Sequence, residues 1–305
     1  MSRQSRKARG FTLVELVVVI VLTAIVASFI VLFLDAPLES YFAQTRRSDL
    51  VDSANRIIDT VTPDVHTALP NSLRIRAVGA RTALELLATE GVARYYGQGD
   101  KNAANGGQPG EELTVGNPAA SFGTLDSFTT QALPYRPYLS VGNLGTATYT
   151  AYNSATGVMT PASTVVTVSP NPSAAPPPPF VAEENQVTLS PQMTFKALGA
   201  PATQPSVHNA YLVSGPVSYV CNPNPVNPAA GTLMRYSGYA VTTAQRVPPG
   251  GTSALIAHDV SRCTLSIVSA PASYSYGELA ILTVTLSSSG ETLQVFLEAP
   301  VEYIQ

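Results

Sequence analysis

Three features of this 305-residue sequence suggest a reactive or binding role. The first is Glu15, the only charge in the 24-residue run from Phe11 to Leu34. An acid at mid-bilayer costs about 2.5–3.5 kcal/mol, somewhat less towards the edge, so a plain anchor would have no use for it. The second is the pair Cys221 and Cys263, the only cysteines. In a reducing cytosol they read as two unrelated thiols, and in an oxidising compartment as one disulfide. The third is a glycine-rich loop whose Asp100, Asn102 and Glu111 match positions one, three and twelve of a calcium loop. Position five is Ala104 and the glycine comes one residue late, so a solvated loop is expected and no metal is assigned. His66, His208 and His258 are isolated. Neighbours in a strand point apart, so His258 and Asp259 are not expected to form a dyad. No P-loop, G-x-S-x-G, C-x-x-C or H-E-x-x-H occurs. The chain is read as neither an enzyme nor a cofactor carrier.

What holds these residues begins with the apolar run. As a helix it spans about 36 Å, enough for a bilayer core of about 30 Å. A secretory signal has an apolar core of roughly 7–15 residues and a small-residue cleavage site. This run is too long for that, and Ala24-Ile25-Val26-Ala27 lacks the A-x-A spacing. Length and a basic flank argue against a buried helix. Arg3, Arg6, Lys7 and Arg9 precede the run, which keeps the leader cytoplasmic and places everything after Leu34 outside the inner membrane. On that oxidising side Cys221 and Cys263 are expected to be bridged. Beyond the leader, 13 basic residues face 20 acidic ones, with no basic patch for nucleic acid.

Past the membrane run, Val51, Ala54, Ile58, Val61, Val65 and Ala68 recur at spacings of three and four, an apolar stripe on a helix. Arg46, Arg47, Asp49, Asp52, Arg56 and Asp59 fall mostly on other faces. Pro37 and Pro63 are expected to kink the helix, which keeps its phase and ends before Pro70 and Asn71. Leu73 to Val78 reads as a strand, and "ALELLATEGVARYYG" (83–97) as two strands about a Thr-Glu-Gly turn. A polar loop (97–112), a weakly alternating stretch (138–168) and a polyproline segment (169–180) decorate one head. The segments 217–221, 232–241, 261–268, 278–287 and 291–303 read as an antiparallel series, with a hairpin turn at Ser287–Gly290. A bridge between the cysteines would staple that sheet. The class expected is α+β, a long helix laid on an antiparallel sheet.

"GFTLVEL" (10–16), set between the basic leader and the apolar helix, resembles the class III signal of type IV pilins and pseudopilins. The resemblance implies cleavage between Gly10 and Phe11 by prepilin peptidase and N-methylation of Phe11. It implies an assembly role for Glu15, which neutralises the Phe11 ammonium of a neighbouring subunit. "ALPNSLRI", "GVARYY", "PYLSVGNLG", "VSYVC…GTLMRYSGY" and "VSRCTLSI" are similar to the larger minor pseudopilins. The O-type of MSHA pilus biogenesis is the nearest of these, with the J-type of type II secretion as a cousin. The implied organisation is a leader (1–10), a transmembrane half-helix (11–34), a periplasmic half-helix (35–69) and a periplasmic head (70–305). The implied partners are prepilin peptidase, other minor and major pilins, the inner-membrane assembly platform and the inner membrane, with no nucleic acid. A type II secretion pseudopilin is the alternative within the class. A membrane-anchored periplasmic binding or enzyme domain is the alternative outside it.

Overall fold

The computed structural model describes residues 12–98, 112–128, 138–170, 185–197, 208–269 and 276–302. The leader with Gly10 and Phe11, the loop residues Asp100, Asn102 and Glu111, and the polyproline run from 171 to 180 lie outside the described residues. The chain divides into two units, residues 1–51 and 52–305. Helix α1 (Leu13–His66) supplies all the described regular structure of the first and opens the second.

In the second unit α1 buries Ala54, Ile57, Val61 and Val65. This corrects the expected stripe by one residue. Val51 and Ile58 are 42% and 39% exposed, because each stands about 100° round the helix from the residue before it, at the margin of the buried face. The phase holds past Pro63, with Val61 and Val65 buried on either side. The helix ends at His66. Thr67 and Ala68 then join the sheet, where Thr89 N–H donates to the Thr67 carbonyl (3.0 Å) and Ala68 bridges Ala88.

The principal sheet runs β1 (Arg74–Val78), β2 (Arg81–Arg94), β7 (Asn209–Asn222), β8 (Thr232–Ser237) and β9 (Thr252–His258), with β4 (Tyr138–Val141) also on β7. Pairs opposite each other share a face, so Leu84 and Leu86 lie on the side of Tyr219 and Val217. The Tyr219 hydroxyl on that side donates to Asp64 Oδ2 of α1 (2.5 Å), and Arg235 Nε of β8 donates to the same oxygen (2.7 Å). Burial and the Asp64 carboxylate together push the Tyr219 hydroxyl well above its ordinary pKa. Thr89-Glu90-Gly91 is not the expected turn. β2 continues through it as a bulge, because β7 slips by compensating residues and restores the pairing from Gly91 opposite Leu212 onward.

The opposite face carries a buried acid. Glu85 accepts from Arg74 through Nε (3.2 Å) and Nη2 (3.0 Å), while Arg74 also donates to the carbonyls of Thr242 and Thr243 and stacks over the Tyr152 ring at 3.5 Å. Burial raises the Glu85 pKa, and the Arg74 fork opposes that rise. Arg76 Nη1 holds the Gln245 carbonyl (2.6 Å), and Gln245 returns a bond to Ala83 O (3.1 Å). The segment between β8 and β9 is thereby tied across the sheet.

The expected single antiparallel series splits after β9. Asp259 takes φ 61° and turns the chain, so β10 (Val260–Ser269) leaves β9 and pairs with β11 (Tyr276–Ser288), which pairs with β12 (Glu291–Glu302). The Cys221–Cys263 disulfide, Cα–Cα 6.4 Å, joins β7 to β10 and so links two sheets rather than stapling one. A third sheet is formed by β3 (Pro118–Gly123), β6 (Asn185–Thr194) and β5 (Val165–Pro170), of which only β5 falls within the stretches read as decoration. Its Phe122, Val187, Leu189 and Val166 share a core with Tyr95, Leu139 and Leu212 of the principal sheet and its flank. Glu278 of β11 accepts the Leu73 N–H (3.2 Å) just after the helix–sheet junction, and burial raises its pKa to about 7.

Two measurements test this framework. The chain-entropy model gives the disulfide, 42 residues apart in sequence, about 4 kcal/mol of stabilisation. Unreduced protein should therefore resist thiol alkylation when denatured, and Cys221→Ser with Cys263→Ser should be destabilised by up to that amount in urea unfolding. Labelling of both thiols without reductant would refute the bridge. The second concerns Glu278, whose folded pKa lies above the ordinary value. The folded state then holds the extra proton between those two pKa values, so the contribution is most favourable at low pH and declines as pH rises to about 7. Glu278→Gln keeps an acceptor for Leu73 without the charge, so it should raise the melting temperature at about pH 8 and change it little at about pH 5. An equal shift at both would count against this.

Candidate functional site

Thr12 precedes the first helical residue, and its Oγ1 accepts the N–H of Glu15 (3.3 Å). Its carbonyl accepts the Leu16 N–H (3.2 Å), the first turn of the helix. Thr12 is therefore the N-cap and Glu15 the third helical residue, the spacing of a capping box. The sequence reading missed Thr12, although T-x-x-E before an apolar run is the signal that would have found it. The cap bond uses a backbone N–H that any residue there could offer; what is particular to Glu15 is a carboxylate in the first turn, where the helix end is positive.

From Leu13 to Ile30 the helix is long and apolar enough to cross a membrane, with mean hydropathy 2.9 and nothing buried. The only polar side chains between Leu16 and Ile30 turn inward on their own helix. Thr23 Oγ1 donates to Val19 O (2.8 Å), with Ile20 O also at 3.0 Å, and Ser28 Oγ donates to Ala24 O (2.8 Å). Such back-bonding lets a hydroxyl sit in an apolar medium. The Glu15 carboxylate has no hydrogen-bond or ion-pair partner among the described residues. A charged carboxylate in apolar surroundings is costly without a cation beside it, and the described residues supply none. Gly10 and Phe11, the other residues assigned to this site, lie outside the described residues.

The head offers less chemistry. His258 Nδ1 and Asp259 Oδ2 are 2.6 Å apart, contrary to the expectation that they point away from each other. The positive φ of Asp259 takes it out of the strand alternation. Ser261 Oγ does not complete a relay, because it bonds Ser287 Oγ (2.8 Å) and Thr285 O (3.0 Å) instead. His66 lies 3.4 Å from Glu302, and His208 stacks on Tyr95 at 5.1 Å. No group of three or more His, Cys, Asp or Glu that could hold a metal occurs among the described residues. A shallow hollow of about 370 Å³ beside Arg235, Ser237 and Tyr239 brings no acid–base pair together.

Neither a curated protein nor a solved structure matches the chain. The prokaryotic N-terminal methylation motif matches residues 5–31, which span the basic leader, the Thr12 cap, Glu15 and the exposed apolar helix through Ile30. This stretch carries the signal of type IV pilins and pseudopilins.

Proposed function

We propose that the chain is a minor pilin-like subunit, processed between Gly10 and Phe11 and assembled through Glu15 into a pilus of the MSHA type. One observation carries the reading. Within the methylation motif, the single acid of an otherwise apolar, fully exposed helix sits capped in the first turn with its carboxylate unpaired. Cleavage after Gly10 creates an α-ammonium on Phe11, reference pKa about 7.7–8.0, which methylation leaves charged. In a bundle of such helices this cation and Glu15 of an adjoining subunit complete each other. The basic leader stays cytoplasmic and the head stands in the periplasm, where an oxidising environment suits Cys221–Cys263. The similarity of the head segments to the O-type subunits favours a pilus over a secretion pseudopilus, and the neighbouring genes would separate the two.

Gly10→Val should block processing, because a peptidase gripping the backbone at a membrane edge needs a residue without a side chain. Mass spectrometry of the wild-type N-terminus should find N-methyl-Phe11, and an intact leader beside an active prepilin peptidase would falsify the reading. Glu15→Val should still be cut yet fail to assemble, since breaking one side of a buried pair costs about 3–5 kcal/mol. Glu15→Gln should be impaired nearly as much, because the amide keeps the shape and loses the charge. Full piliation and recovery of partner pilins with both variants would refute charge pairing. A membrane-anchored enzyme or binding domain predicts no cut at Gly10 and indifference to Glu15.

A further inference from the structure

Among the described residues β12 pairs only with β11, so one edge of its sheet has no described neighbour. The hairpin between them settles which groups line that edge. Ser289 and Gly290 both have positive φ (47° and 89°), a two-residue turn of the I′ type closed by Ser288 opposite Glu291. The closing pair exchanges both backbone bonds, and bonded and non-bonded pairs alternate along the ladder. Leu293, Val295 and Leu297 thus spend their N–H and C=O groups on β11. Thr292, Gln294, Phe296 and Glu298 turn theirs to the open edge, where none has a backbone partner among the described residues. Pro300, next in the alternation, has no N–H to offer and ends the edge.

The same four residues present their side chains on the outer face. Val295, Leu297, Ala299 and Val301 are buried inward, while Phe296 is 61% exposed. Ile281 lies opposite Glu298, Thr283 opposite Phe296, and Val268, 47% exposed, opposite Leu279. Phe296 with Ile281 beside it therefore makes an apolar spot among Thr283, Thr285 and Gln294, with the Glu298 carboxylate at one end. β12 holds Glu291, Glu298 and Glu302 and no basic residue, and Glu298 has no ion-pair partner among the described residues. Proteins usually blunt a regular open edge with charge, proline or a covering segment. Here the proline stops the edge at 300, leaving about 23 Å of unpaired backbone from Thr292 to Glu298.

We propose that the β12 edge from Thr292 to Glu298 takes an extended strand of a different protein subunit, with an apolar side chain over Phe296 and a Lys or Arg opposite Glu298. Main-chain bonds give such an addition its affinity, and alternate side chains give it selectivity. A second copy of β12 is the poorer occupant, since it has no cation to place against Glu298 in any register. The inference rests on the assembly reading only in identifying the occupant as a neighbouring filament subunit.

The test replaces Phe296, and separately Gln294, by p-benzoylphenylalanine in the full chain in its own envelope, with a companion probe at Val18 on the apolar helix. Ultraviolet light should link the β12 probes to a different envelope protein, at a mapped site in an extended segment bearing Lys or Arg. Glu298→Lys should reduce that product at least about tenfold, a loss of about 1.4 kcal/mol, and reversing the mapped partner cation to Glu should restore it. Links from Val18 with none from β12 overturn the edge proposal and leave the assembly reading standing. Links from β12 with none from Val18 support the edge and count against the filament. A product joining two copies of β12, or one indifferent to Glu298→Lys, overturns the proposed occupant. Silence at all three positions overturns both readings.

Discussion

The pairing of β2 with β7, from Thr82 opposite Cys221 to Arg94 opposite Asn209, is the constraint on which the head depends. Every other described attachment of the principal sheet refers to one of these two strands or to a strand seated on them. β1 and the helix exit lie on β2, while β4 and β8 share the far side of β7. Near the end of β7, Tyr219 reaches Asp64 of the helix and Cys221 reaches the second sheet. Two paired bulges keep both halves of this ladder in register. A slip of one residue would turn either Glu85 into the helix-packed face or Tyr219 away from Asp64, and either loss specifies the register strongly.

The first unit obeys a different constraint. A helix in hydrocarbon must satisfy its polar groups within itself, and this one does so at Thr12, Thr23 and Ser28 by bonds to its own backbone. Against that economy the Glu15 carboxylate stands apart. The head handles its acids in the opposite manner. Glu85 is forked by Arg74, Asp64 is shared by Arg235 and Tyr219, and Glu278 accepts a backbone N–H. These buried carboxylates each have a donor within the head, whereas the Glu15 carboxylate has none among the described residues.

Much of this was legible in the sequence because it rests on local pattern. The apolar run, the position of Glu15, the final hairpin and the α+β class all follow from spacing within a dozen or so residues. What escaped was set by distant partners. Whether Val51 or its neighbour faces inward depends on which sheet residues the helix meets, and two registers of the stripe share Ala54, Val61 and Val65. Thr-Glu-Gly reads as a turn until β7 lies alongside and takes the extra residue as a bulge. The separation of β10 from β9 hangs on one backbone angle at Asp259, a residue with no turn signature around it. The Thr12 cap does have a local signal, T-x-x-E before an apolar run, but the same residues also read as the start of the apolar span.

That cap bears on how processing and assembly fit together. Thr12 lies beyond the proposed scissile bond, so the helix start is built from residues that the mature chain keeps. Cutting after Gly10 would set a new ammonium one residue before a helix end that is already positive, an unfavourable place for a cation. Glu15 is in the converse position, an anion that the same helix end stabilises but that cannot be hydrated in lipid. On the proposed reading, the Phe11 cation would gain most from an acid outside its own first turn, and Glu15 from a cation that the helix does not already provide. Pairing between neighbouring subunits would answer both needs at once, and would become available only after the leader is removed. On this account cleavage would be the step that makes an isolated subunit electrostatically incomplete, so the drive to assemble follows from processing without any further switch.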